Sequence, residues 1–148
     1  MDTIRIAIEK DIAPCARLLG VLFGQEQEFT PDALVQERGL GMIIGHPSTG
    51  TVFVCERDGA IVGMVALLNT VSTALGSRVA ILEDMVVAPD CRGQGLGSRL
   101  IEHAAEWAES QGFGRITLLT DGGNEGAHRF YAGKGFTRSE MAVFRKLL

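Results

Sequence analysis

Cysteine is scarce in this chain: three in 148 residues, at Cys15, Cys55 and Cys91. They are odd in number and far apart, with no C-x-x-C pair and no grouping with His46, His103 or His128. That pattern argues against a disulfide framework and against a zinc site, so no metal is expected. Reduced thiols in a cytoplasmic protein are the expectation, with Cys91 as structural filler. Long apolar runs are missing as well. None nears the roughly 18 residues that a membrane-spanning helix needs, and the opening Met-Asp-Thr-Ile-Arg does not read as a signal peptide. No membrane partner is expected. Positive charge is not in excess, since the formal net charge is -4. A nucleic-acid binder usually shows a basic face, so nucleic acid is not an expected partner. The sign suits a cationic or amine-bearing substrate. Repeats, low-complexity stretches and linkers are absent, so residues 1–148 read as a single domain. With 46% apolar residues the chain is not disordered and can build a core.

Two familiar phosphate-binding patterns are missing too. No glycine-rich stretch ends in Gly-Lys-Ser/Thr, which excludes a Walker A loop. Gly-x-Gly-x-x-Gly also fails: counted from Gly93 its last position is Ser98, and from Gly95 it is Leu100. What is present instead is an apolar run ending at Pro89, a turn from Arg92 to Gly97, and then helical spacing from Ser98 to Gln111. A strand feeding a glycine-rich turn feeding a helix is a phosphate cradle. Glycine lets the backbone approach an anion closely, and the free amides and positive end of the new helix bind it. The pattern that remains is Arg-x-x-Gly-x-Gly, at Arg92, Gly95 and Gly97.

Periodicity and turn residues give the order of elements. Thr3–Ile8 reads as a strand. Asp11 is the expected cap of a helix to about Phe23, and Thr30-Pro31 opens a second helix ending near Gly45. Thr51–Arg57 and Ala60 to about Val71 flank Asp58-Gly59, a strong hairpin signal. Arg78–Ala88 precedes the cradle. Leu96, Leu100, Ala104 and Ala108, joined by Ile101 and Ala105, form the apolar stripe of the next helix. Arg115–Thr120 is a short strand, parallel to 80–88 because a helix connects the two. A last helix covers about Glu125 to Lys134, with Gly135 as its left-handed cap. Ala142–Leu147 is expected to close the sheet.

The stretch Asn124-Glu-Gly-Ala-His-Arg-Phe-Tyr-Ala-Gly-Lys-Gly-Phe136 adds a second motif. With it the chain resembles the GNAT superfamily of acetyl-coenzyme A-dependent N-acetyltransferases. Their pyrophosphate loop, Arg/Gln-x-x-Gly-x-Gly/Ala, is matched by Arg92, Gly95 and Gly97. Their late motif is matched by Asn124, Ala127, Phe130, Tyr131, Gly135 and Phe136. The resemblance implies an α/β (α+β) GNAT fold: a mixed, mainly antiparallel sheet of about six to seven strands with about four helices. Within it a splayed parallel strand pair holds the cofactor.

What the resemblance implies for the site follows residue by residue. The amides of Gly93, Gln94, Gly95, Leu96, Gly97 and Ser98 face the pyrophosphate of acetyl-coenzyme A, with Arg92 and Arg99 offering charge. The backbone of Met85, Val86 and Val87 meets the pantetheine arm, and an amide of Met85 or Val86 polarises the thioester carbonyl. Asn124 caps its helix and also bonds the cofactor, and Tyr131 is a cofactor contact as well. Tyr131 is the expected general acid: its reference pKa of about 10 lies above that of a thiol at about 8.5, so it holds its proton until the thiolate forms. Glu83 is the expected general base, with Asp84 or water as the alternatives. Successive strand residues face opposite sides, so only one of the two carboxylates faces the cofactor gap. Glu26 and Glu28, in the loop between the first two helices, are candidates for attracting a cationic acceptor. The acceptor is a primary amine on a small molecule, peptide or protein. The other reading is a non-catalytic acetyl-coenzyme A sensor or interaction module. A homodimer is expected from the exposed final strands and from family habit.

Overall fold

A computed structural model describes residues 1–25 and 32–148. The strands are β1 (Asp2–Ile6), β2 (Gly50–Arg57), β3 (Ala60–Ser72), β4 (Ser77–Val87) and β5 (Ile116–Leu118). They lie side by side in chain order in one sheet. The helices are α1 (Ile12–Gln25), α2 (Ala33–Ile43), α3 (Leu96–Ser110) and α4 (Glu125–Gly133). The first three ladders are antiparallel. The β4–β5 ladder is parallel, as a helical crossover requires.

Both faces of the sheet are covered. Val52 and Val54 alternate with Phe53 and Cys55 along β2, and each set enters a different core. On one face Phe53, Val65, Leu67 and Leu82 meet Leu96, Leu100, Ile101, Ala104 and Ala108 of α3. On the other, Val52, Val54, Met64, Ala66 and Val86 meet α1 and α2 through Cys15, Leu18, Leu19 and Leu40. Two-sided burial explains why β2 and β3 read as nearly continuous apolar runs. Between them Asp58 and Gly59 take φ of 51° and 81°, the left-handed pair that a tight hairpin demands.

Ion pairs fix the sheet's outer strand to its surroundings. Arg5 on β1 forks onto Asp11 at 2.7 and 3.1 Å and reaches Glu56 on β2 at 2.7 Å. The Asp11 carboxylate also accepts from the Ile8 amide at 2.8 Å. Asp11 is therefore not the expected α1 cap. It closes a 3-10 turn at Glu9–Asp11 that leads into α1, because the guanidinium outbids a helix amide for its oxygens. The α2 cap is Asp32, which accepts from Leu34 and Val35. The expected cap at Thr30 lies outside the described residues. Gly39 and Gly41 lie within one continuous helix.

The sheet has five strands, not six or seven. Ala142–Leu147 forms no strand, and from Phe136 onward the chain has no helix or strand. Met141, Phe144 and Leu147 are almost wholly exposed. Apolar alternation specifies a strand only where a neighbouring edge accepts its ladder, and β5 offers three residues.

The Arg5 fork holds Asp11 below the ordinary carboxylate range, against the opposing effect of its burial. A depressed folded-state pKa gives stability that is present above the unfolded value of 3.8 and is lost as pH falls through the lower folded value. Asp11→Asn is expected to cost about 2 kcal/mol at pH 7. In urea titrations the gap between the two proteins should stay constant above about pH 5 and narrow below about pH 4. A gap that widens in acid would contradict the assignment.

Candidate active site

At the start of α3 the backbone supplies six donors in a row. Gly93 and Gly95 take φ of 75° and 80°, a region that side chains rarely enter. The first helical bond runs from the Arg99 amide to the Gly95 carbonyl at 3.1 Å. Among the described residues, no protein acceptor takes the N–H groups of residues 93–98. Unpaired amides at a helix start are stable only if water or an anion takes them. Leu96 contributes its amide alone, since its side chain is buried in the α3 core. The donor set thus fits a pyrophosphate, which offers several anionic oxygens within reach of one loop.

Gly97 joins three elements. A Cβ there would lie 3.1 Å from Met85 Cε, 3.7 Å from Phe130 Cζ and 3.9 Å from Val87 Cγ2. The cradle, the end of β4 and α4 therefore meet at one position, where a side chain would press on the end of Met85. Beside this junction the parallel pair parts. Ala80, Ile81 and Leu82 pair with Ile116, Thr117 and Leu118, after which β5 ends and β4 runs on to Val87. Among the described residues, no strand lies beside that edge of β4 past Leu82.

β4 carries a bulge where the edge is uncovered. Ala66 pairs with Glu83 but Met64 pairs with Val86, so Val65 faces both Asp84 and Met85. Asp84 has a φ of 57°. The alternation expected for Glu83 and Asp84 breaks here, because two residues oppose one. Glu83 shares a register with Ala66 of the α1/α2 core, whereas Met85 packs on the α3 core. Glu83 is exposed. The sequence leaves open which amide near Met85 points outward, because that depends on a local bulge; the structure places the bulge at Asp84.

Tyr131 lies on α4 between Phe130 and Phe136, with ring centroids at 5.2 and 5.8 Å. Burial pushes its phenol above the ordinary value, so it keeps its proton across the neutral range. Among the described residues no protein group bonds its hydroxyl. Asn124 caps α4, its Oδ1 accepting from the Ala127 amide at 3.1 Å.

The flanking charges are partly committed elsewhere. Arg92 donates from Nε to the Val87 carbonyl at 3.1 Å, which ties the turn to the strand end. Arg99 is turned to Asp2, at 3.3 Å, and does not stand free beside the cradle. Arg57 forks onto the same Asp2 at 2.6 and 3.0 Å. His103 is half-buried and packs edge-on against Phe53, with centroids 5.4 Å apart. His128 is within 2.9 Å of the Asp121 carbonyl, and His46 is exposed. The three cysteines are free and buried, and burial pushes the Cys15 thiol up to about 12. Glu26 and Glu28 lie outside the described residues. Among the described residues no group of three or more His, Cys, Asp or Glu could hold a metal ion, and no helix is long and apolar enough to cross a membrane.

Free amides at a helix start, beside a parallel strand pair that parts, are the frame of an acyl-coenzyme A-dependent transferase. The profile of the Acetyltransferase (GNAT) family matches residues 14–136, and the chain belongs to that family. An uncharacterized N-acetyltransferase of Methanocaldococcus jannaschii is 39% identical over 90 residues, 60% of this chain and only 40% of that protein's length. The aminoglycoside N(6')-acetyltransferase type 1 of Serratia marcescens is 40% identical over 110 residues, 72% of this chain and 75% of its own. Among solved structures, an acetyltransferase of Trypanosoma brucei superposes with a TM-score of 0.78 at 27% identity, covering 99% of this chain and 100% of that one.

Gly95→Val forces a β-branched residue into the left-handed region, at a place where a Cβ meets nothing within 4 Å. The cost is therefore conformational, and the turn is expected to open rather than clash. Calorimetric titration with acetyl-coenzyme A should show binding weakened about tenfold or more. Undiminished affinity in a folded variant would remove the cradle from this site.

Proposed function

We propose that the domain transfers an acetyl group from acetyl-coenzyme A to a primary amine of a small molecule or peptide, by direct attack on the thioester. The junction at Gly97 carries this reading, because it joins six unpaired amides, the bulged strand edge and the Tyr131 helix. A site that only bound the cofactor could use all three, Asn124 included, but would have no use for a proton donor at Tyr131.

Acetyl-coenzyme A supplies the activated acetyl group when bound. The residues that hold it in this reading are Arg92, the amides of Gly93, Gln94, Gly95, Leu96, Gly97 and Ser98, the backbone of Met85, Val86 and Val87, and Asn124. A backbone N–H at Met85 or Val86 polarises the carbonyl, a contribution of about 3 kcal/mol where such a donor is preorganised. Glu83, on the α1/α2 side of the sheet, takes the amine proton directly or through water as the C–N bond forms. Tyr131 gives its proton to sulfur as the C–S bond breaks. Half-burial supports the second role, because a phenol of raised pKa stays protonated until a thiolate is generated.

The acceptor lies on the same side as Glu83. The name of the Serratia relative points to a cationic amine as acceptor there. A cationic small-molecule amine is our reading for this domain, consistent with its net charge of -4. Glu26 and Glu28 belong to this proposal as acceptor contacts. We place the domain in the cytoplasm, where its three buried thiols stay reduced. We also propose a homodimer. The exposure of Met141, Val143, Phe144 and Leu147, together with Leu119 just past β5, supports it.

Coenzyme A release across a panel of polyamines, aminoglycosides, amino acids and lysine peptides tests the reaction. Tyr131→Phe is expected to lower kcat about 100-fold or more while the calorimetric affinity for acetyl-coenzyme A holds. Saturable cofactor binding with no turnover on any amine would favour a sensor.

Glu83→Gln should be most impaired near pH 6 to 7 and recover as pH approaches the acceptor's own pKa, where the amine arrives neutral. A loss independent of pH would move the base elsewhere. For assembly, light scattering should give twice the chain mass of 15.9 kDa, and removal of residues 140–148 should return the monomer. A monomeric full chain would refute the dimer.

A further inference from the structure

We infer that Asp84 is a positioning residue, whose left-handed backbone puts Glu83 and Met85 on opposite faces of the sheet. The inference rests on the acetyl-transfer reading above and adds to it a residue with no proton to move.

Only Asp58 and Asp84 have positive φ among the non-glycine residues described. Asp58 sits in a hairpin turn, where that conformation is required. Asp84 sits inside an eleven-residue strand, where no turn requires it. Its φ of 57° coincides with the slip in register between Ala66↔Glu83 and Met64↔Val86. The slip has a definite consequence for side chains. In an unbroken strand residues 83 and 85 share a face. Here Glu83 stands opposite Ala66, which belongs to the α1/α2 core, and Met85 belongs to the α3 core. Met85 is also the side chain that fills the space beside Gly97. One residue in the left-handed region thus separates a carboxylate on the acceptor side from a methionine seated on the cradle.

The residue type fits this role. Asparagine, aspartate and glycine enter the left-handed region at low cost, and residues with an ordinary or branched Cβ resist it. The role belongs to the backbone, so a carboxylate at position 84 is not needed for it. A general base at the same position would need the carboxylate. The two roles therefore separate by substitution.

The test compares Asp84→Asn, Asp84→Gly, Asp84→Ala and Asp84→Val. Each is assayed for kcat on the best amine of the panel, for calorimetric acetyl-coenzyme A affinity, and for the amide shifts of Glu83, Met85 and Ala66 in nitrogen-15 spectra. Asn and Gly are expected within about twofold of the parent kcat. Ala should lose about tenfold or more, and Val more again. Affinity should change by less than about threefold in Asn and Gly, and only Ala and Val should move the three amides. An Asn variant as defective as Ala would show that the carboxylate itself is required and overturn the inference. So would an Ala variant with parental kcat. If Val does not fold, the comparison of Asn and Gly with Ala decides. If the parent protein acetylates no amine, the acetyl-transfer reading fails on its own, and the amide shifts still decide. Shifts moved in Ala but not in Asn or Gly uphold the backbone role, and unmoved shifts in Ala refute it.

Discussion

Every backbone N–H that a fold leaves without a partner must find one in water or in a ligand, and the site depends on where this fold leaves them. The parallel ladder between β4 and β5 lasts three residues. Past it, one edge of β4 has no strand beside it as far as Val87. The chain then turns through two left-handed glycines and starts α3 with six donors unspent. An interrupted ladder and an uncapped helix would each be a defect in a purely structural domain. Side by side they place an uncovered strand edge next to a row of free amides at a helix start.

That row of amides needs a rigid support, and α3 supplies it. Leu96, Leu100, Ile101, Ala104 and Ala108 are all buried against the sheet, so the helix start cannot shift without disturbing a packed core. Arg99, one turn into the helix, reaches Asp2 on β1, which Arg57 of β2 also holds. Partly exposed ion pairs of this kind stabilise little in themselves. Their effect is geometric: they hold the first turn of α3 over the far strands while its apolar stripe holds it down.

Much of this was legible in the sequence because it is carried by local chemistry. Asp58-Gly59 specifies its hairpin whatever surrounds it, and the period of Leu96, Leu100, Ala104 and Ala108 specifies the buried face of α3. The Arg92–Gly97 turn was legible for the same reason, since glycine at 93 and 95 permits the observed φ values. Features decided by distant partners were not. Asp11 looks like a helix cap until Arg5 is seen to take its oxygens. Ala142–Leu147 alternates like a strand, but a strand is a property of a pair and β5 offers it only a short edge. The bulge at Asp84 belongs to the same group, since register is set across two strands and no single run of residues encodes it.

Burial also divides the molecule in two. No residue after Ala108 is fully buried, although Phe113, Ile116, Leu118, Phe130, Tyr131 and Phe136 all lean on the α3 core from its margin. The cradle and the bulge therefore stand on the tightly packed part, and Tyr131 stands on the lightly packed part. Segments with few buried contacts open at low free-energy cost. Such a division suits the proposed reaction, in which the cofactor is held in place while Tyr131 must reach the leaving sulfur. The half-burial of Tyr131 is then a compromise between two demands. In the proposed reaction a deeper position would cut the hydroxyl off from the leaving sulfur, while partial burial widens the margin by which the phenol stays protonated.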